Sequence, residues 1–306
     1  MLDQVTHLFR LKTIIEEGSL RRAAEKLNVT QPALSRSIAQ LEKLFGRQLL
    51  ERTARGVQPT LFGRRVLAAS LRLMRQWELT EQELLQDDIA GDLRLLIGAG
   101  PVWRAVILPE VMIGMQKSFP KLTVEILRAH PEKSFEDLSV GRLDVVLAGM
   151  EANASRARLV QKRIASVSNH IVAREGHPIF GRAGPGKRIR TEYLLDYPWL
   201  VYLEYSAYRE FTMHVLHERI GQDPEIRVIC DSLNTTIGTL QRSDFLAYLP
   251  EPITYAASAP RLLPVPVDIN KRTVDVGMTV REEMADWEPI KALEAICAEI
   301  FSKYDG

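Results

Sequence analysis

Residues 16–53 read EEGSLRRAAEKLNVTQPALSRSIAQLEKLFGRQLLERT, and within them Ser19–Ile38 has the spacing of two helices joined by a tight turn. Ser19 is placed to cap a helix Leu20–Leu27, and Asn28-Val29 make the turn. Thr30 can cap the next helix, with Pro32 in its first turn, where a missing N–H costs nothing. That helix would run to about Phe45, and Gly46 would stop it. Small Ala23 and Ala24 allow the helices to cross closely, while Leu27, Val29, Leu34, Ile38 and Leu41 supply a small core. Gln31, Ser35, Arg36 and Gln40 are left facing outward. The layout is that of a helix-turn-helix.

Upstream, residues 3–17 read as a helix with Val5, Leu8, Phe9 and Ile15 on one face and Leu11 on its shoulder; Gly18 ends it. Downstream, Gln48–Pro59 reads as a strand pair around Ala54-Arg55-Gly56, a short basic hairpin. The 306-residue chain has a net charge of only +1, but residues 1–58 hold ten Lys/Arg against six Asp/Glu. The positive excess lies where a DNA-facing surface would want it. A helix in the major groove reads bases mainly with its N-terminal residues. Gln can pair with adenine and Arg with guanine in bidentate fashion. Ser35 and the N–H groups around Thr30–Pro32 suit phosphates, and Arg52 and Arg55 of the hairpin suit an adjacent backbone or minor groove. A basic helix face alone is an ordinary solvated surface; the spacing is what favours DNA.

The run Glu16–Thr53, followed by Ala54–Thr60 and Gly63, resembles the signature of the LysR-type family of bacterial transcriptional regulators. The resemblance is strong in residues 1–65 and weaker beyond. It implies an α/β multidomain protein: a winged helix-turn-helix, a dimerising linker helix, and a two-lobed α/β effector domain like periplasmic solute-binding proteins. It carries Gln31, Pro32, Ser35 and Arg36 as recognition-helix residues, and Arg52 and Arg55 as wing residues; Thr30 and Gln40 join the DNA-binding candidates from the layout of the helix itself. The partners it implies are an interrupted palindrome in double-stranded DNA, a small-molecule effector, and further copies of the chain as a dimer of dimers. RNA polymerase is a further partner it allows.

Farther along, Thr60 can cap a helix over 61–88, about 42 Å long at 1.5 Å per residue. Leu67, Leu71, Met74 and Trp77 form a stripe that Glu81 interrupts and Leu84 resumes, and a long solitary helix of this kind needs a partner. From Gly91 strands and helices alternate. Strands Asp92–Gly98, Thr123–Ala129 and Asp144–Ala148, with helices Ala105–Phe119 and Glu132–Ser139, make a βαβαβ series and a parallel sheet. A second series follows: strands Ser168–Ala173, Trp199–Leu203, Ile226–Cys230 and Phe245–Leu249, with helices Ala207–Ile220 and Thr235–Gln241. Strand Thr273–Val280 and helix Pro289–Lys303 close the chain. The expected domains are 1–60, 61–90 and 91–306. Lobe I would span about 91–163 and 268–306, lobe II about 164–267, with crossings near 162–167 and 265–270.

Open α/β lobes bind ligands at the carboxyl ends of their strands, where helix N-termini favour anions. The expected effector contacts are Gly100, Pro101, Val102, Trp103, His130, Ser134 and Gly149 from one lobe. From the other come Asn169, Tyr205, Ser232, Asn234 and Thr235. Relatives often carry Ser or Thr where Gly100 and Val102 stand here, so a carboxylate would turn to backbone N–H groups, His130 or Ser232. Trp103, Tyr202, Tyr205 and Tyr208 read either as stacking surface for a sugar or aromatic acid or as core aromatics.

Other chemistry is weaker. Gly98-Ala99-Gly100 lacks the third glycine of a dinucleotide fingerprint, and Gly181–Lys187 is followed by Arg188 where a phosphate loop needs Ser or Thr. His214 and His217 lie one turn apart without a third metal ligand nearby. Cys230 and Cys297 read as buried, inert thiols and fit a reducing cytoplasm. No residue spacing demands catalysis, a cofactor or a metal. No apolar run is long enough for a membrane helix, and the N-terminus lacks a signal-peptide core.

Overall fold

The computed structural model describes residues 2–53, 56–84, 93–150, 158–184, 186, 188–202, 214, 217, 221–255, 259–268 and 273–303. It divides into two compact units: residues 1–93 with 132–144, and residues 94–131 with 145–306.

The first unit begins with α1 (Leu2–Glu17), α2 (Leu20–Lys26) and α3 (Gln31–Phe45). Ser19 Oγ accepts the N–H of Arg22 and Thr30 Oγ1 that of Ala33, so both expected caps are present. Gly46 ends α3 at φ +65. Leu11, Ile14, Ala23, Leu34, Leu41 and Leu49 are the buried centre, with Leu8, Leu27 and Val29 packed around it. Val5 and Phe9, expected on the inner face of α1, are 42% and 46% exposed. The inward stripe of α1 is Leu8–Leu11–Ile14–Ile15; α2 and α3 cover that side, and the neighbouring one stays open.

A hairpin follows, β1 (Leu50–Thr53) paired antiparallel with β2 (Gly56–Pro59). The Val57 N–H donates to the Gly18 carbonyl at 2.9 Å, docking the hairpin on the turn between α1 and α2. Gly56 sits at φ +116 over the Gly18 oxygen, leaving no room for a side chain. Next comes α4 (Leu61–Leu84), where Thr60 Oγ1 accepts the Gly63 N–H at 2.9 Å. The expected end of this helix, 85–88, lies outside the described residues.

Among the described residues the second unit holds a seven-stranded sheet in the order β10 (Leu262–Pro264), β6 (Leu159–Arg174), β11 (Thr273–Arg281), β5 (Val145–Gly149), β3 (Arg94–Ala99), β4 (Thr123–Arg128), with β9 (Ala247–Pro250) also paired to β6. Strands β3 (Arg94–Ala99), β4 (Thr123–Arg128) and β5 (Val145–Gly149) are parallel, as the βαβαβ pattern requires. The helix α5 (Leu108–Ser118) is entered through a π turn, Trp103–Ile107, and α6 (Pro131–Ser139) lies between β4 and β5.

The expected crossing near 162–167 falls within one long strand, β6 (Leu159–Arg174). Its first half pairs with β11 (Thr273–Arg281) and its second with β9 (Ala247–Pro250) and β10 (Leu262–Pro264). Within it Lys162 pairs with Glu294, and Arg163 with Asp275. The second lobe adds β7 (Trp199–Tyr202) parallel to β8 (Ile226–Cys230), then α7 (Leu233–Leu240). Ser232 Oγ caps α7 by accepting the Thr235 N–H, so the helix starts two residues before the expected Thr235. The last helix, α8 (Glu288–Ser302), packs Ile296 against Gly114 of α5. The expected helix 207–220 lies outside the described residues except at His214 and His217.

Candidate nucleic-acid interface and effector cleft

Burial of Leu34, Ser37, Ile38 and Leu41 fixes which side of α3 faces outward. Thr30, Gln31, Pro32, Ser35, Arg36 and Gln40 are all exposed on the other side. The helix is braced in ways its sequence did not announce. Arg10 of α1 donates to Ser37 Oγ at 2.7 Å, and that hydroxyl donates to the Ala33 carbonyl at 3.0 Å. Near the other end, Glu42 Oε1 accepts the N–H groups of Leu49 at 2.8 Å and Leu50 at 3.4 Å, hanging the start of the hairpin on α3. Arg52 is in β1, its backbone opposite Val57; Arg55 lies outside the described residues. A braced helix with amides, a hydroxyl and a guanidinium on its open face is suited to base edges and phosphates in one groove.

In the second unit the carboxyl ends of β3 and β4 are tied together, Ala129 N–H to Ala99 O at 3.0 Å. The Gly100 N–H, expected in the cleft, donates to the Leu147 carbonyl at 2.9 Å and belongs to the sheet. Buried Pro101 has no N–H, so the first-turn donors of the following helix are Val102 and Trp103. The Trp103 ring is core rather than stacking surface: 5% exposed, it meets Phe301 edge-on at 5.4 Å. Tyr202 is likewise core, packed with Val172, Leu233, Leu249 and Ile253, and Val102 joins that cluster. Arg104, not singled out from sequence, donates through Nε to the Ala99 carbonyl at 3.1 Å and brings a guanidinium to the end of β3.

His130 and Gly149 are exposed, and Ser134 is buried on α6. Asn169 is 5% exposed in β6. Strand alternation groups it with Ile171 and Ala173, which pack around Trp199, so His170 rather than Asn169 shares the side of Val172 and α7. Ser232, Asn234 and Thr235 are exposed at the start of α7, with Thr235 Oγ1 donating to Ser232 Oγ at 3.0 Å. The Thr236 hydroxyl on the same turn is fully buried and has no hydrogen-bond partner among the described residues. Tyr205 and Tyr208 lie outside the described residues.

Residues 5–64 match the family described as "Bacterial regulatory helix-turn-helix protein, lysR family", and residues 90–302 match "LysR substrate binding domain". The chain belongs to the LysR family. Among its LysR relatives is the "HTH-type transcriptional regulator PcaQ" of Agrobacterium fabrum, 27% identical over 313 residues, covering 100% of this chain and 99% of that one. Two solved structures share the fold. Full-length LysG from Corynebacterium glutamicum with bound effector Arg has a TM-score of 0.68 and 18% identity, covering 96% of this chain and 98% of that one. Full-length CbnR in complex with its target DNA has a TM-score of 0.60 and 18% identity, covering 97% of this chain and 99% of that one.

The remaining chemistry of this LysR chain is local. Cys297 is buried in α8, which pushes its thiol up to about 12. Cys230 is half-buried rather than buried, with its Sγ 3.4 Å from the Ser232 backbone nitrogen; among the described residues β8 pairs with β7 alone. His217 pairs with Asp223 at 3.0 Å, and Arg182 stacks over Tyr193 at 4.9 Å in the loop that mimics a phosphate-binding motif. Among the described residues no helix is long and apolar enough to cross a membrane.

Proposed function

We propose that this LysR-family regulator reads an interrupted palindromic operator through Gln31, Pro32, Ser35, Arg36 and Gln40, steadied by backbone contacts from Thr30, Arg52 and Arg55. The observation that carries this reading is the open face of α3, which presents Gln31, Ser35, Arg36 and Gln40 and is braced by Arg10 and Glu42. It would work in the cytoplasm, where the chromosome is, as a dimer of dimers that can meet RNA polymerase. Leu73 and Trp77, 50% and 61% exposed on α4, offer the apolar stripe for self-association. A partner helix of another copy would bury it.

The effector we propose is a small organic acid with an apolar body. Its anionic group would sit where the N-termini of α7 and of the helix after β3 supply N–H donors, with His130, Ser232, Asn234 and Thr235 beside them. The Val102–Tyr202–Leu233 cluster supports an apolar wall, and the unpartnered Thr236 hydroxyl supports a polar contact within it. Effector closure of the lobes would shift the population of oligomer states and the spacing of the DNA-reading heads.

DNase footprinting on the protein's own upstream intergenic DNA, with a panel of small organic and sugar acids, tests both parts. The expected result is a discrete protected palindrome whose edge moves with one compound. Diffuse protection that no compound alters would instead mark a ligand-independent architectural binder. A Ser35→Ala/Arg36→Ala variant should lose the discrete footprint; its persistence would refute the recognition-helix assignment. His130→Ala and Ser232→Ala should abolish the response to the active compound and leave the footprint in place.

A further inference from the structure

Arg75, midway along α4, and Asp144, just before β5, form a buried pair that DNA reading and effector binding do not call on. Arg75 is 6% exposed and Asp144 fully buried. Nε donates to Oδ1 at 2.9 Å and Nη2 to Oδ2 at 2.5 Å, a bidentate fork, while Nη1 reaches Glu78 at 3.2 Å. Burial alone would weaken the guanidinium's hold on its proton; the hydrogen bonds and charge of Asp144, then of Glu78, keep its pKa above the usual value. Close by, Gly141 adopts φ +78, and a Cβ there would lie 3.4 Å from Arg75 Cβ and 3.5 Å from Arg72 Cα. The turn after α6 therefore runs directly against α4.

The segment 132–144 has a double attachment. Its contacts place it with residues 1–93, whereas its two ends continue into β4 and β5, the strands on either side of β3 in the other unit. We infer that the Arg75–Asp144 pair is the coupling through which displacement of the β4–β5 crossover reaches the linker helix and the DNA-reading head on it. Apolar side chains of similar volume would join the two segments at least as firmly; what a bidentate pair adds is one orientation. A pair that cannot slide makes α4 follow the turn after α6. Arg75 and Asp144 are thus positioning residues for the response, and touch neither DNA nor effector. The inference rests on the regulator reading above.

Two full-length variants test it: Asp144→Asn, which keeps shape and removes charge, and Arg75→Met/Asp144→Leu, which keeps packing and removes orientation. Hydrogen exchange read by mass spectrometry should show residues 70–80 and 133–143 opening together in Asp144→Asn, each about tenfold faster or more, with α3 and β3 unchanged. The double variant should keep wild-type protection in both segments. Both variants should hold one half-site of upstream DNA at wild-type strength yet bend the full site differently, measured by energy transfer between labelled DNA ends without any effector. Exchange that rises in only one segment overturns the coupling, as does an unchanged bend in both variants. A wild-type protein that protects no discrete site would fail the regulator reading itself, and the exchange result would still decide whether the two segments are coupled.

Discussion

At Gly63 an added Cβ would fall on the Leu49 carbonyl oxygen, because the first turn of α4 passes directly over the start of the hairpin. Gly63→Ala should destabilise the head by about 1–3 kcal/mol, as overpacking does. A melting temperature equal to wild type would contradict that close approach. Cys297 gives a pH signature. Its thiol ionises near 9.0 when solvated and near about 12 in the fold, so the unfolded chain releases its proton first. Stability from this site is intact below 9.0 and falls as pH rises toward about 12. Cys297→Ala should flatten the alkaline decline in urea-unfolding free energy; an identical decline would mean the thiol is not held protonated. Cys230 should react with a thiol reagent well before Cys297.

Among elements, α3 was the most legible, since Thr30, Pro32 and Gly46 punctuate it locally and its apolar spacing fixes its inner face. Thr30→Ala should cost about 1 kcal/mol of stability, the usual worth of an N-cap, read from denaturant unfolding. Glu42 was not legible in its role, because a carboxylate on a basic helix ordinarily reads as a solvated charge. Only the return of the chain at Leu49 and Leu50 gives it two backbone donors. Glu42→Ala should loosen the hairpin and weaken DNA binding while the helical circular dichroism signal stays near wild type; unchanged binding would mean the hairpin needs no such anchor. For β6, alternation marked Ser168–Ala173 but could not show that Leu159–Val167 continue the strand. Their pairing partner, β11, lies more than a hundred residues away in sequence.

For the whole molecule, the stripe expected on α4 is only partly covered: Leu67, Leu71 and Met74 are half-buried and Trp77 stands exposed, and Leu73, which the stripe did not include, is exposed beside it. Trp77→Arg should shift the sedimentation profile toward smaller species at a given concentration. A profile identical to wild type would remove Trp77 from the self-association surface. The sequence by itself determined the helix-turn-helix, the long helix after it, the parallel βαβ start of the sensing unit and the outward residues of α3. Each of these depends on local punctuation and on periods of 3.6 or 2 residues, which are written within a dozen or so positions. Only the tertiary structure decided that the Gly100 N–H is spent on Leu147, that Trp103 and Tyr202 belong to the core, and that Arg75 meets Asp144. The Gly100–Leu147, Arg75–Asp144 and Trp103–Phe301 contacts join groups 47, 69 and 198 positions apart in the numbering. A buried hydrogen bond or ion pair is chosen by which groups the fold brings together away from water, and no local period encodes that choice.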